Sequence, residues 1–265
     1  METTMESEVV SGKGARFSIY SLGSDRPDAL HLLWGHGWGQ SAMALQPMAE
    51  SLASFAYSTL IDFPGFGASP PPPGAWGTAD YADAVAEWLQ TQPLRRRVWI
   101  GHSFGGRVGI RLAARHPQLV GAMVLIASAG LRPKRPLRVA TQTFLKVKFF
   151  KLAKALLGEG PAVEKLRRWL GSIDYYKAGP LRPVLVKAIN ENLSEDAARV
   201  KCPVLLLYGE QDTITPVEVG QRLHSLIPHS ELLILQRIDH HSIVGDGRHV
   251  AAHQILSFLQ NQSKP

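Results

Sequence analysis

The chain has 265 residues, 45% hydrophobic and 19% charged, with a formal net charge of +7 at pH 7. That length holds one full-sized globular domain with room for an insertion, and the balance excludes a collagen-like, wholly disordered or membrane-spanning protein. A single cysteine, Cys202, excludes an internal disulfide.

The first ten residues, METTMESEVV, carry three glutamates and none of the basic, apolar pattern of a secretion signal. No apolar run is long enough to span a bilayer, so a cytoplasmic location is expected. Phe17 to Leu22 and Leu30 to Trp34 read as strands, the second running straight into HGWGQS. A helix is expected over Ala42 to Ala53, where Met43, Leu45, Met48 and Leu52 give a partial apolar face. The strand-like AYSTLIDF follows and is broken by PGFGASPPPPG. Thr78 then reads as the cap of a helix through ADYADAVAEWLQTQ, whose Tyr81, Val85, Trp88 and Leu89 recur at helical spacing. RRVWIGHS as strand, FGGRVGIRLAARH as helix and AMVLIAS as strand complete an alternation typical of a parallel sheet covered on both faces.

The alternation stops from Leu131 to about Arg199, where helical patterns occur without a convincing strand. It resumes with CPVLLLYG, a helix over Val217 to Leu226, the strand ELLILQRI and a last helix from about Arg248 to Leu259. The expected architecture is α/β: a mostly parallel central sheet with helices on both faces, built from residues 1–130 and 200–265. An all-helical cap is inserted over 131–199. No repeat of solenoid length is evident.

Within GHSFG, Gly101, Ser103 and Gly105 match G-x-S-x-G between a strand and a helix. Such a turn strains the serine backbone and leaves no room for side chains two residues away, while Gly106 would let the helix lie close to the sheet. The bland alternative is a glycine-rich turn holding phosphate at a helix N-terminus, but the Lys-Ser/Thr ending of a P-loop and the dinucleotide fingerprint are both missing.

A serine hydroxyl needs a base, and histidine suits that work near neutral pH. Among the ten histidines, His240 and His241 lie in LLILQRIDHHSIVGDG after the last strand, beyond a candidate acid in VLLLYGEQDTITP. Asp212 is that acid, with Glu210 as its neighbour and competitor. Its structural alternative is a turn or cap aspartate. His31 and His36 lie too early, His116 reads as a helix end, and His224 and His229 as surface positions. His249 and His253 are spaced i, i+4, but no HExxH motif or acidic ligand supports a metal site.

These motifs together, HGWGQS, DFPGFGAS, GHSFGG, YGEQD and the terminal ILSFL, resemble the α/β-hydrolase family, in particular its single-domain serine esterases with a helical cap. The resemblance runs from about Leu30 to Leu259. It implies Ser103 as nucleophile, Asp212 as acid and His240 as base, with the backbone N–H groups of Trp38 and Phe104 as oxyanion hole and His36 shaping that loop. It also implies that neither metal nor cofactor is required. The family's usual Gly-His followed by Glu and Pro is replaced here by Asp239-His240-His241 and GDGRH. Aligning the turn favours His240, whereas counting back from Phe258 favours His241.

The resemblance implies a serine hydrolase cleaving an ester-like bond of a small or medium apolar acyl substrate. Carbon-carbon bond hydrolysis or acyl transfer on the same triad, and a non-catalytic ligand-binding role, are the alternatives. Leu131 to Leu170 holds eleven Lys or Arg against two Glu, an excess greater than the charge of the whole chain. Within TQTFLKVKFFKLAKALLG, Leu145, Phe149, Leu152 and Leu156 form a stripe with Lys148, Lys151 and Lys154 mostly opposite. That pattern fits either an ordinary solvated cap helix or a lid whose basic side meets anionic lipid. LRRRV and RPKRPLR lack the interleaved aromatics of a nucleic-acid site, so no nucleic-acid partner is expected.

Overall fold

The computed structural model describes residues 5–26, 29–131, 148, 153, 155, 158, 160, 163 and 177–262. Eight strands form one sheet in the order β1-β2-β4-β3-β5-β6-β7-β8. They are β1 (Glu6–Gly12), β2 (Ala15–Leu22), β3 (His31–Gly35), β4 (Tyr57–Ile61), β5 (Arg97–His102), β6 (Ala122–Ile126), β7 (Val204–Gly209) and β8 (Ser230–Leu235). β1, β2 and β4 pair antiparallel, and every pairing from β4 through β3 to β8 is parallel.

The first strand is absent from the sequence reading. Of ESEVVSG only Val10 and Gly12 are buried, so no apolar run announces it. Its pairing follows from the turn: Lys13 and Gly14 both have positive φ, 51° and 72°, the geometry of a two-residue hairpin. Gly12 is needed because a Cβ there would stand 2.0 Å from the Ala84 carbonyl oxygen of the overlying helix.

Helices cover both faces. α2 (Thr78–Gln90), α3 (Phe104–Arg115), α5 (Ser194–Arg199) and α6 (Val217–Leu226) bury one apolar cluster with Trp99, Leu125 and Leu206 from the strands. α1 (Gln46–Glu50) and α7 (Arg248–Asn261) cover the other face, packing with Leu32, Ile100, Val124 and Leu205. Successive residues of β5 thus feed opposite layers while the whole strand is buried, as a covered parallel sheet requires. Each fully buried Val, Leu or Ile in these layers contributes about 1.5–3 kcal/mol relative to exposure.

Three boundaries differ from expectation. The helix expected over Ala42 to Ala53 is a 3-10 turn, Ala42–Ala44, followed by the short α1, because Pro47 cannot extend a preceding helical ladder. Gly77, not Thr78, caps α2: its N–H donates to Asp80 Oδ2 at 2.8 Å, while the buried Thr78 hydroxyl donates to Glu191. β8 ends at Leu235, short of QRI, where Arg237 turns the chain at φ 59°.

Between β6 and β7 the described residues contain no strand. They include α4 (Arg182–Asn190) and α5, anchored to the core by Glu191, which accepts from Thr78 N–H at 3.0 Å, and by the buried Asp196, which pairs with Arg111 of α3. TQTFLKVKFFKLAKALLG and RPKRPLR lie outside the described residues apart from isolated positions. Each arginine of the other run has a partner within the fold, although the buried Arg97 Nε has none among the described residues. Arg95 pairs with Asp25, Arg96 donates to the Gln262 carbonyl, and the buried Arg97 donates to Pro93 O at 2.6 Å.

Candidate active site

The sheet order reverses direction at β3, which lies between β4 and β5, and such switch points open a crevice beyond the strand ends. The C-terminal ends of β3, β5, β7 and β8 all lead to this rim. Ser103 follows β5 directly and has φ 49° and ψ −102°, a conformation that non-glycine residues rarely adopt. Its N–H donates to Ile126 O at 3.0 Å, holding the turn against β6.

The glycines around it are sterically obligatory. A Cβ on Gly101 would lie 2.4 Å from Gly105 O, one on Gly105 would lie 2.0 Å from Gly35 O, and one on Gly106 would lie 2.2 Å from Ser128 Oγ. Trp99 fixes the helix that follows: its indole N–H donates to Gly105 O at 3.0 Å, and Gly109 lets α3 rest on its ring.

Asp212 and His240 arrive from the loops after β7 and β8, and both are buried. His240 Nδ1–H donates to Asp212 Oδ2 at 2.8 Å, and Ser103 Oγ lies 3.1 Å from His240 Nε2. A proton on Nδ1 leaves the Nε2 lone pair facing the serine hydroxyl. Burial pushes the Asp212 carboxyl up. The bonds from His240 and from the Thr215 N–H and hydroxyl outweigh this and hold it below the usual carboxylate range. Its Oδ1 accepts the Ile214 and Thr215 N–H groups at 2.8 and 2.7 Å.

The competing residues stand apart from this chain. Glu210 is exposed and accepts the Arg237 N–H at 3.2 Å. His241 is exposed, its ring edge-on to His240 at 5.3 Å, and its N–H donates to Asp239. His116 pairs with Asp83, and His224 bonds Ser230. Among the described residues no cluster of three or more His, Cys, Asp or Glu could hold a metal ion.

The HGWG loop follows β3. His36 is fully buried: Phe63 N–H donates to its Nε2 at 3.2 Å, so Nδ1–H donates to Gly37 O at 2.7 Å. Burial lowers its pKa to about 4, keeping the ring neutral. The His36 carbonyl accepts Gly105 N–H at 2.9 Å and ties this loop to the helix after Ser103. Trp38 and Phe104 pack edge to face at 5.6 Å, and neither backbone N–H has a partner among the described residues. Trp38 lies in the loop after β3, and Phe104 opens α3 directly after Ser103.

Three residues beside the chain were not singled out in the sequence. His102, buried and lowered to about 3 by burial and by His240, has Nε2 3.1 Å from the His240 carbonyl and Nδ1 3.2 Å from Gln40 Oε1. Gln40 in turn accepts the Gly37 N–H at 2.9 Å. Thr215 touches both Asp212 and His240. Their one signal was position, next to the serine, at the end of HGWGQ and three residues after the acid.

Residues 32–253 match the model of the alpha/beta hydrolase family. The chain is 30% identical over 230 residues to a pimeloyl-[acyl-carrier protein] methyl ester esterase from Chromobacterium violaceum, covering 81% of this chain and 87% of that protein. Among solved structures it resembles a bacterial membrane phospholipase A, with TM-score 0.74 and 23% identity over 97% of this chain and 86% of that one. It also resembles a hydrolase from Pseudomonas aeruginosa PA01, with TM-score 0.72 and 23% identity over 96% and 98% of the two chains. With this sheet, this rim and these matches, the chain belongs to the α/β-hydrolase family and is an enzyme of the hydrolase class.

Proposed function

We propose that the protein hydrolyses a carboxylic ester of a small or medium apolar acyl group through an acyl-enzyme on Ser103. The observation that carries this reading is the continuous chain from Ser103 Oγ through both nitrogens of His240 to Asp212. The C. violaceum relative, named for a methyl ester, supports an ester rather than a carbon-carbon bond as the target.

In the first half-reaction Ser103 Oγ attacks the ester carbonyl as its proton passes to His240 Nε2. Asp212 holds the ring and stabilises the imidazolium. The Trp38 and Phe104 N–H groups receive the oxyanion, a pair of donors each worth on the order of 10²–10³ in rate. Collapse of the tetrahedral intermediate breaks the bond to the alkoxy oxygen, which takes the proton from Nε2 and leaves as the alcohol. Water then gives a proton to His240 while attacking the acyl carbon. The second collapse returns that proton to Ser103 Oγ and frees the acid.

The insertion over 131–199 is proposed as the cap over the acyl pocket, and its basic stretch as the part that meets anionic lipid at a cytoplasmic membrane face. Salt-sensitive binding to vesicles containing phosphatidylglycerol, absent with neutral vesicles, supports the lipid contact; equal binding to both counts against it. The enzyme reading is tested with a fluorophosphonate probe and p-nitrophenyl esters of graded chain length. Labelling and hydrolysis lost in Ser103→Ala are expected, and labelling unchanged in that variant would overturn it.

A further inference from the structure

The loop after β7 brings a buried hydroxyl against the base. Thr215 Oγ1 lies 2.8 Å from Asp212 Oδ2, 3.0 Å from His240 Nδ1 and 3.0 Å from the Ala127 carbonyl oxygen. A hydroxyl has one proton and two lone pairs. The carboxylate is the nearer acceptor and the ionised one, so the proton goes to Asp212 and a lone pair faces His240 Nδ1–H. The Thr215 N–H separately holds Oδ1.

The consequence is a division of labour on one carboxylate. Two backbone N–H groups fix Oδ1 and place the loop, but they leave the orientation of Oδ2 and of the imidazole plane to a single His-Asp bond. Thr215 closes that bond into a triangle of Oδ2, Oγ1 and Nδ1, in which the Nδ1 proton lies between two oxygens. The Ala127 carbonyl, just after β6 where φ is 44°, is the second acceptor within reach of Oγ1 and the one that the ionised Asp212 outcompetes for its proton.

We propose that Thr215 is a positioning residue for the base: its hydroxyl, in contact with both Asp212 and His240, fixes the ring plane and keeps Nε2 aimed at Ser103. This rests on Ser103, His240 and Asp212 acting as proposed above. The other groups facing His240 are His102, with ring centroids 5.0 Å apart and Nε2 on the His240 carbonyl, and His241 at 5.3 Å. Tyr208 reaches the Asp212 side of the site, its hydroxyl donating to Ser128 O at 2.6 Å. None of these touches the Asp212–Nδ1 bond itself.

The test compares Thr215→Val, which keeps the shape and removes the hydroxyl, with Thr215→Ser, which keeps the hydroxyl. Losing the position of the base is expected to lower kcat of Thr215→Val about 10-fold with KM within about twofold. Thr215→Ser should restore kcat to within about threefold of the wild type. Should Thr215→Val not fold, Thr215→Ala carries the same expectations. An active wild type with an indifferent Thr215→Val overturns the proposal alone. So does a rate loss in Thr215→Val that Thr215→Ser fails to restore, or one carried by KM instead of kcat, either of which would make the hydroxyl merely structural. A wild type that neither hydrolyses esters nor reacts with fluorophosphonate overturns the reading of the site and this proposal with it.

Discussion

Acidification from pH 7 to pH 5 should destabilise this protein through its buried histidines before its carboxylates matter, and His36 is the one to perturb. Its pKa is lowered from 6.5 to about 4, chiefly by burial, although the bond to Gly37 and the charge of Asp62 oppose that. Because the folded value lies below the unfolded one, the unfolded chain binds more protons as pH falls below about 6.5 and folding stability drops with it. The shift corresponds to a loss of about 2 kcal/mol at pH 5, growing to about 3 kcal/mol at pH 4. His31, lowered to about 4, and His102, lowered to about 3, act in the same direction. The three losses together approach the whole stability of an ordinary domain, about 5–15 kcal/mol. Asp212 works in a different window: its folded pKa is depressed, so its contribution is present above about pH 4 and is lost only below that. The assay is urea unfolding followed by tryptophan fluorescence at pH 7, 6 and 5, for the wild type and His36→Asn. The variant should be less stable at pH 7, yet lose about 2 kcal/mol less than the wild type between pH 7 and pH 5. A wild type whose stability is flat across this range, or a variant with an unchanged slope, would refute the reasoning.

Further predictions concern the site and its supports. His240→Ala should lower kcat/KM by on the order of 10³-fold or more while His241→Ala stays within about threefold, measured with a chromogenic ester. Comparable losses in both variants would contradict the assignment of the base. Gly105→Ala places a Cβ 2.0 Å from Gly35 O. Relief of that clash requires α3 and the end of β3 to separate by roughly 1 Å, which should reduce kcat/KM about 100-fold while the chain remains folded by circular dichroism. Asp196→Ala strips the buried partner from Arg111 and Arg199, and thermal or urea unfolding should show a loss of about 2–4 kcal/mol with little effect on KM.

Much of this arrangement was legible because strand, glycine turn and helix follow one another with strong local signals. The sheet from β3 to β8 reads from its apolar runs, and Gly101, Ser103 and Gly105 read from the steric demands of the turn. β1 was not legible: an edge strand with one face in solvent needs no apolar run, and only the Lys13-Gly14 turn reveals the hairpin. The helix broken at Pro47 shows an apolar periodicity that Leu45, Met48 and Leu52 satisfy in either form. At the site, pattern left the choice between His240 and His241 open, since both follow the same strand. The side chains differ in where the loop turns them: His240 is buried against Asp212, and His241 faces solvent. Thr215, His102 and Gln40 make their contacts through hydroxyl, ring and amide groups common in any sequence. Only the tertiary contacts reveal them.

The central claim is that Ser103 becomes covalently acylated during turnover, and acid-quenched intact and peptide mass spectrometry tests it most directly. With a p-nitrophenyl ester in excess, the account predicts a mass increase equal to the acyl group on the peptide carrying Ser103. That adduct should be absent in Ser103→Ala and accumulate in His240→Gln treated with an activated ester under forcing conditions. Steady hydrolysis with no adduct on Ser103, or an adduct on another residue that survives in Ser103→Ala, would contradict it.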